Sequence, residues 1–285
     1  MTLATAVGST QLIRRRRTAE QDALTITGLY EQLDRRLGEQ RHISETLQRA
    51  LLPQRNPSIP GLEIASRYVA GTRGIEVGGD WYSIVSLDDQ RFAFVVGDVS
   101  GRGLSAATVM ARLRFTLRAY LLEGHLPDRA LQMCRRQLDV IEDDHFATVV
   151  VGVGDLATRE VTLANAGHLS PLIVTDTVAE FVTTKIGVPL GVTTTSDDES
   201  TSFTMPPGST LLAFTDGLVE RRGEDLLLGM GRLAAAAAVA TSREPSLDES
   251  LAAVLSSMND DGSEDDIAVL AFRWAATPMG ATAGS

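Results

Sequence analysis

The chain has 285 residues, 44% of them hydrophobic and 22% charged, with a formal net charge of −11. That composition suffices for one packed core with an appendage, and it excludes a disordered, collagen-like or repeat-array protein. The acidic balance excludes nucleic acid and anionic membrane as main partners, because a phosphate-binding surface needs a local excess of Lys and Arg.

In chain order, residues 1–19 read as a flexible basic amino terminus. Its one basic block, Arg14 to Arg17, follows the weakly apolar stretch, the reverse of a signal peptide. No apolar run approaches the roughly 20 residues of a membrane-spanning helix, so a cytoplasmic chain is expected. Residues 20–53 carry a helical, coiled-coil-like linker: Ile26, Tyr30, Leu33, Leu37, polar Gln40 and Ser44, Leu47 and Leu51 recur at heptad spacing until Pro53 ends the helix. Its stripe calls for a partner, either the same helix in a homodimer or the chain's own domain, and an activator protein is a further candidate for this helix.

After the turn-rich segment 54–61, short β-rich runs dominate: LEIASRYV, WYSIVSL, RFAFVVGD, FATVVVGVGD, EVTLANAG, PLIVTD, STLLAFTD and IAVLAFRW. Many follow one another through tight turns and should pair as antiparallel hairpins. Helical patterns at 103–123, 127–143, 229–241 and 246–258 interrupt them. This order fits α+β layers better than an alternating parallel sheet. The domain is read as 54–274 and residues 275–285 as a disordered tail.

Four acidic positions stand at strand ends: Asp80 in VGGDWYS, Asp98 in VVGDVSGRG, Asp216 in AFTDGLVE, and Asp265 with Asp266 in GSEDDIAVL. Carboxylates that follow apolar runs start out nearly buried, and without lysine partners they repel one another unless a cation neutralises them. Lys185 is the only lysine and Cys134 the only cysteine. Oxygen donors suit Mg²⁺ or Mn²⁺ rather than Zn²⁺. The same counts exclude a P-loop, an internal disulfide and a cysteine-built metal site.

Together with LQRALLPQ, GLEIASRYVAG, NAGH, GVPLGV and EDDIAVLAFR, these motifs carry a resemblance from about Leu47 to Arg273. The chain resembles the SpoIIE-like and RsbU-like bacterial branch of the metal-dependent (type 2C, PPM) serine/threonine protein phosphatases. The resemblance implies a four-layer αββα sandwich of two antiparallel sheets flanked by helices. It implies two divalent cations, Mn²⁺ or Mg²⁺, with Asp80 and Asp98 as ligands, the Val99 carbonyl completing one sphere, and Asp216 and Asp265 on the second ion. Asp266 is expected behind Asp265, because adjacent strand residues point to opposite faces. Gly79, Gly217, Arg102 and His168 are expected around the ligands. Arg102 either binds phosphate or caps a helix, and His168 either takes part in catalysis or is a structural hydrogen-bonder.

By the same resemblance, water activated between the two ions attacks phosphorus without a phosphoenzyme. The substrate is a phosphorylated anti-anti-sigma protein of STAS type. Ser83 stands where the family commonly has a further Asp. Two rivals are weighed. GRGLSA matches a dinucleotide-binding pattern, but a second helix follows it instead of the next parallel strand. A catalytically silent scaffold would have no need of Asp80, Asp98, Asp216 and Asp265 together.

Overall fold

The computed structural model describes residues 26–30, 32–39, 46–47, 50–53, 55–71, 77–138, 145–175, 178–193, 197–243, 246–258 and 265–275. The basic terminus 1–19, the seam positions Gln40 and Ser44, and the tail from 276 lie outside these residues. The chain divides into two units, Met1–Thr46 and Leu47–Ser285. In the first, residues 26–30 and 32–39 are helical, and Ile26, Leu29, Tyr30 and Leu33 are exposed.

The second unit begins with β1 (Leu62–Val69), β2 (Trp81–Ser86), β3 (Arg91–Val99), α1 (Leu104–Leu122), α2 (Pro127–Leu138), β4 (Ala147–Asp155) and β5 (Glu160–Ala166). It continues with β6 (Leu172–Val174), β7 (Ala179–Phe181), β8 (Ile186–Gly187), β9 (Ser200–Thr204), β10 (Thr210–Phe214), α3 (Leu226–Arg243), α4 (Leu247–Met258) and β11 (Ile267–Trp274). The strands form two sheets. One runs β1-β11-β10-β6-β7 and the other β2-β3-β4-β5-β8, with β9 also on β5. Every strand pair is antiparallel except the two-residue contact of β8 with β5.

Strand alternation builds the layers. In β3, Phe92, Phe94 and Val96 point into the seam between the sheets, whereas Ala93, Val95 and Val99 face the α1–α2 side. In β11, Ala268, Leu270 and Phe272 face the seam, and Ile267, Val269 and Ala271 face α3 and α4. Three apolar clusters therefore separate four layers in the order helices, sheet, sheet, helices. The seam is aromatic: Phe92 meets Phe272 edge-on at 5.1 Å between ring centroids. Each such buried ring contributes roughly 1.5–3 kcal/mol of burial. Leu51 and Leu52, at the end of the predicted linker helix, pack on the α1–α2 cluster.

The long β runs and the four helices appear where their patterns placed them, with two differences: α3 starts at Leu226, three residues before the predicted 229, and of the helix predicted over 127–143 the last five positions lie outside the described residues. Strands β7, β8 and β9 carry no predicted counterpart. They are two to five residues long, and their few apolar residues, Ala179 and Phe181 in β7, Ile186 in β8 and Phe203 in β9, are too few to set up a strand pattern.

Candidate active site

The even-numbered positions of β3 face the seam, and this parity continues to Asp98 at the strand's end. Asp80 precedes β2 with the parity of Tyr82 and Ile84, which also face the seam. Across the seam, Asp216 follows β10 by two residues, and Asp265 and Asp266 immediately precede β11. One end of the sandwich thus gathers acids from both sheets, two strand ends from each.

Close backbone approach holds these ends together. A Cβ on Gly79 would lie 2.2 Å from the Val99 carbonyl oxygen, so Asp80 is brought directly against the end of β3. A Cβ on Gly217 would lie 2.1 Å from the carbonyl oxygen of Asp266, which brings Asp216 against the start of β11. Only glycine permits either approach.

The electrostatics are those of crowded carboxylates. Asp80, 3% exposed, has its pKa pushed well above the usual carboxylate range, first by burial and then by the charge of Asp98, to which it also hydrogen-bonds. Burial also raises Asp98, as does the charge of Asp265, while Arg102 opposes the shift. Asp216 is pushed up to about 7 by burial and by the charges of Asp98, Asp265 and Glu220. The Oδ2 of Asp80 is buried and has no hydrogen-bond partner. A buried carboxylate oxygen without a donor is costly, and a hard cation is the partner that satisfies it. All-oxygen donors, mutual repulsion and an orphaned oxygen fit a divalent cation. Among the described residues no three His, Cys, Asp or Glu side chains form a ready-made cage.

Asp265 and Asp266 differ in their surroundings. Asp265 is exposed, accepts from Arg102 Nη2 at 2.8 Å and from the Asp266 backbone N–H at 2.9 Å, and its charge is felt at Asp98 and Asp216. Asp266 is buried, accepts from the Gly71 N–H at 2.9 Å and hydrogen-bonds Tyr68, and burial raises its pKa. Asp265 is the one of the two that acts on the other acids of the site.

His168 sits on the same cleft but is not available to a substrate. Burial lowers it to about 4, its Nδ1 lies 2.8 Å from Thr148 Oγ1, and its Nε2 lies 3.1 Å from the Phe214 carbonyl. Asn165 closes the turn around it, accepting from the His168 N–H at 2.7 Å and donating to the His168 carbonyl at 2.9 Å. The cleft, about 300 Å³, is lined by Asp98, Thr148, Gly167, His168, Leu169, Asp216, Glu220, Glu224 and Leu226. Glu224 is neutralised by Arg232 at 2.5 and 2.6 Å. Sequence reading did not single out Thr148. Its signal is parity with Val150, whose side chain faces the seam, together with its pairing directly opposite Asp98.

Residues 88–275 match the family model described as Stage II sporulation protein E (SpoIIE). The chain is 25% identical over 164 residues to the phosphoserine phosphatase RsbP of Bacillus subtilis, covering 56% of this chain and 40% of RsbP. Among solved structures, the RsbU and RsbW domains of Rv1364c from Mycobacterium tuberculosis align with TM-score 0.71 and 34% identity, over 78% of this chain and 62% of that one. The SiaA-PP2C domain of Pseudomonas aeruginosa aligns with TM-score 0.69 and 19% identity, over 85% of this chain and 98% of that one, and shares the fold. The chain spans less than two thirds of the length of the curated relatives it matches. With two thirds of its residues under one family model, on a PP2C-type sandwich, this chain belongs to the SpoIIE family.

Proposed function

We propose that the chain is a metal-dependent phosphatase that removes phosphate from a serine or threonine of a protein. The observation that carries this reading is the orphaned, buried Asp80 oxygen among raised-pKa carboxylates contributed by both sheets. Asp80, Asp98 and the Val99 carbonyl would hold cation on one side of the seam, with Asp216 and Asp265 on the other. Two bound Mg²⁺ or Mn²⁺ ions would supply Lewis-acid charge for the phosphoryl oxygens and acidify water in the cleft. The protein's own task is positioning. Asp98 and Asp216 accept hydrogen bonds from water in the cleft, and Arg102, held on Asp265, supplies a guanidinium for a phosphate oxygen. His168 does not donate the leaving-group proton, since both ring nitrogens are engaged.

The proposed substrate is a phosphorylated anti-anti-sigma protein of STAS type, within a partner-switching pathway. RsbP is named a phosphoserine phosphatase, and the Rv1364c structure joins an RsbU domain to an RsbW domain; both support this choice. The exposed stripe of Ile26, Leu29, Tyr30 and Leu33 is assigned to the same helix of a second copy. Light scattering should show a dimer that Leu33→Asp dissociates.

Activity is tested with a phosphoserine peptide and Mn²⁺. Hydrolysis should require the cation, stop in EDTA and fall at least a hundredfold in Asp98→Asn. Binding of the phosphopeptide without turnover under every cation would replace the enzyme by a scaffold.

A further inference from the structure

The NAGH turn places His168 between the two sheets. Its Nε2 faces the carbonyl of Phe214, in β10 of one sheet, and its Nδ1 faces the hydroxyl of Thr148, in β4 of the other. A carbonyl only accepts, so Nε2 carries the hydrogen. The ring is neutral because burial pushes it down to about 4. Nδ1 is then a bare acceptor, and the Thr148 hydroxyl donates its single proton to it. Thr148 therefore offers the cleft lone pairs and no hydrogen.

Thr148 stands opposite Asp98 in the β3–β4 ladder. Directly opposed residues of an antiparallel pair project on the same face, with Cβ atoms about 5 Å apart. Thr148, Asp98 and Asp216 all line the same cleft. Each of these three groups, with the carboxylates ionised, accepts hydrogen bonds and donates none. A phosphoryl oxygen, itself an acceptor, finds no partner beside Thr148. A water molecule finds two, giving one hydrogen to a carboxylate and the other to Thr148 Oγ1. With both hydrogens held, its lone pair points away from them into the open part of the cleft; as its oxygen bonds to phosphorus, the bond from phosphorus to the serine oxygen breaks, the carboxylate takes up the proton it holds, and solvent water protonates the departing serine oxygen.

We propose that the corner beside Thr148 is a water subsite: Thr148 Oγ1 accepts from the water that attacks phosphorus, and His168 is the positioning residue that keeps the Thr148 proton turned away. The proposal rests on the hydrolase reading of the same cleft. It assigns the NAGH histidine a role that is neither proton transfer nor cation binding. It also explains why a histidine with both nitrogens engaged belongs at this corner: the Phe214 carbonyl sets the tautomer, and the tautomer sets the direction of the Thr148 hydroxyl.

The experiment has two independent arms. In the first, ¹⁵N-histidine NMR of the full chain, with His168 assigned by loss of its signals in His168→Gln, should show a neutral Nε2–H ring from pH 5.5 to 8.5. An Nδ1–H or charged ring in that range overturns the relay. In the second, kcat and KM are measured on a phosphoserine peptide with Mn²⁺, alongside Mn²⁺ affinity by calorimetry. Thr148→Val, which keeps shape and loses the oxygen, should lower kcat about tenfold to a hundredfold, the range expected for a misplaced reactant. KM and Mn²⁺ affinity should stay within twofold, and Thr148→Ser should recover kcat to within about fivefold of wild type. A Thr148→Val chain with kcat within twofold of wild type, or one that loses Mn²⁺ affinity in step with kcat, overturns the water subsite. A wild-type chain that fails to hydrolyse the peptide overturns the hydrolase reading and the water's role with it, while the NMR arm still decides the direction of the relay.

Discussion

Arg102 donates to Asp265 at 2.8 Å, so a cation from the turn after β3 reaches across the seam to an acid at the start of β11. The side chains are 32% and 56% exposed, and such a solvent-exposed pair is worth roughly 0.2–1 kcal/mol. It also occupies the acid assigned to a divalent ion. Arg102→Ala should therefore raise Mn²⁺ affinity, by about fivefold at most, while weakening phosphopeptide binding. Calorimetry of the variant checks the first effect and KM the second. An unchanged Mn²⁺ affinity would mean that the pair does not compete with the ion.

The raised carboxylates give the chelated protein an inverted pH profile. Asp216 is pushed up to about 7, and Asp80 and Asp98 are raised as well. Between about pH 4, where unfolded aspartates titrate, and about pH 7, these carboxylates bind more protons in the folded chain than in the unfolded one, and His168, lowered to about 4, offsets them by at most one proton. Stability must then fall as pH rises through that window. In EDTA the melting temperature should decline from pH 5 to pH 8. Added Mn²⁺ should raise it strongly at pH 8 and little at pH 5, where protons already neutralise the same oxygens. Scanning fluorimetry at the two pH values reads this, and an equal cation shift at both would contradict it.

Ligand and bystander separate by kinetics. Asp216→Asn removes a charge from the cleft and should cost several kcal/mol in kcat/KM. Ser83 is buried in β2, and Ser83→Ala should cost less than about tenfold. Steady-state assays at saturating Mn²⁺ compare the two.

Arg135 of α2 is buried and paired with Asp198 at 2.9 Å, both side chains being 1% exposed. It also donates to the carbonyls of Val188 at 2.7 Å and Pro189 at 3.0 Å, tying the segment after β8 to the helix. Asp198→Ala leaves a buried guanidinium without its counter-charge and should destabilise by about 3–5 kcal/mol. Urea unfolding measures this, and a loss below 1 kcal/mol would show that the carbonyls alone satisfy the arginine.

How much was legible follows from what local pattern can encode. Asp80, Asp98 and Asp216 announce themselves because each closes or adjoins an apolar run beside glycine. Thr148 does not, since threonine inside FATVVV reads only as β propensity until β4 is laid against β3. Arg135, in CRRQ, looks like any charged helix residue, and its burial depends on a loop more than fifty positions away. The pairing of β1 with β11 joins opposite ends of the domain, and no local signal specifies it. The short strands β7 to β9 owe their form to neighbouring β5 and β6 rather than to their own residues.

Gly79 and Gly217 leave less than 2.3 Å between an added carbon and the backbone oxygens of Val99 and Asp266. The vulnerable positions of this chain therefore include two with no functional group at all. A carboxylate changed to its amide would keep its shape and lose its charge. A single methyl at either glycine would pry apart the strand ends that carry the acids. Gly217→Ala should then fold with all its acids present and still fail, a lesion invisible to any inventory of charged residues. Random variation would register it as sharply as loss of a ligand.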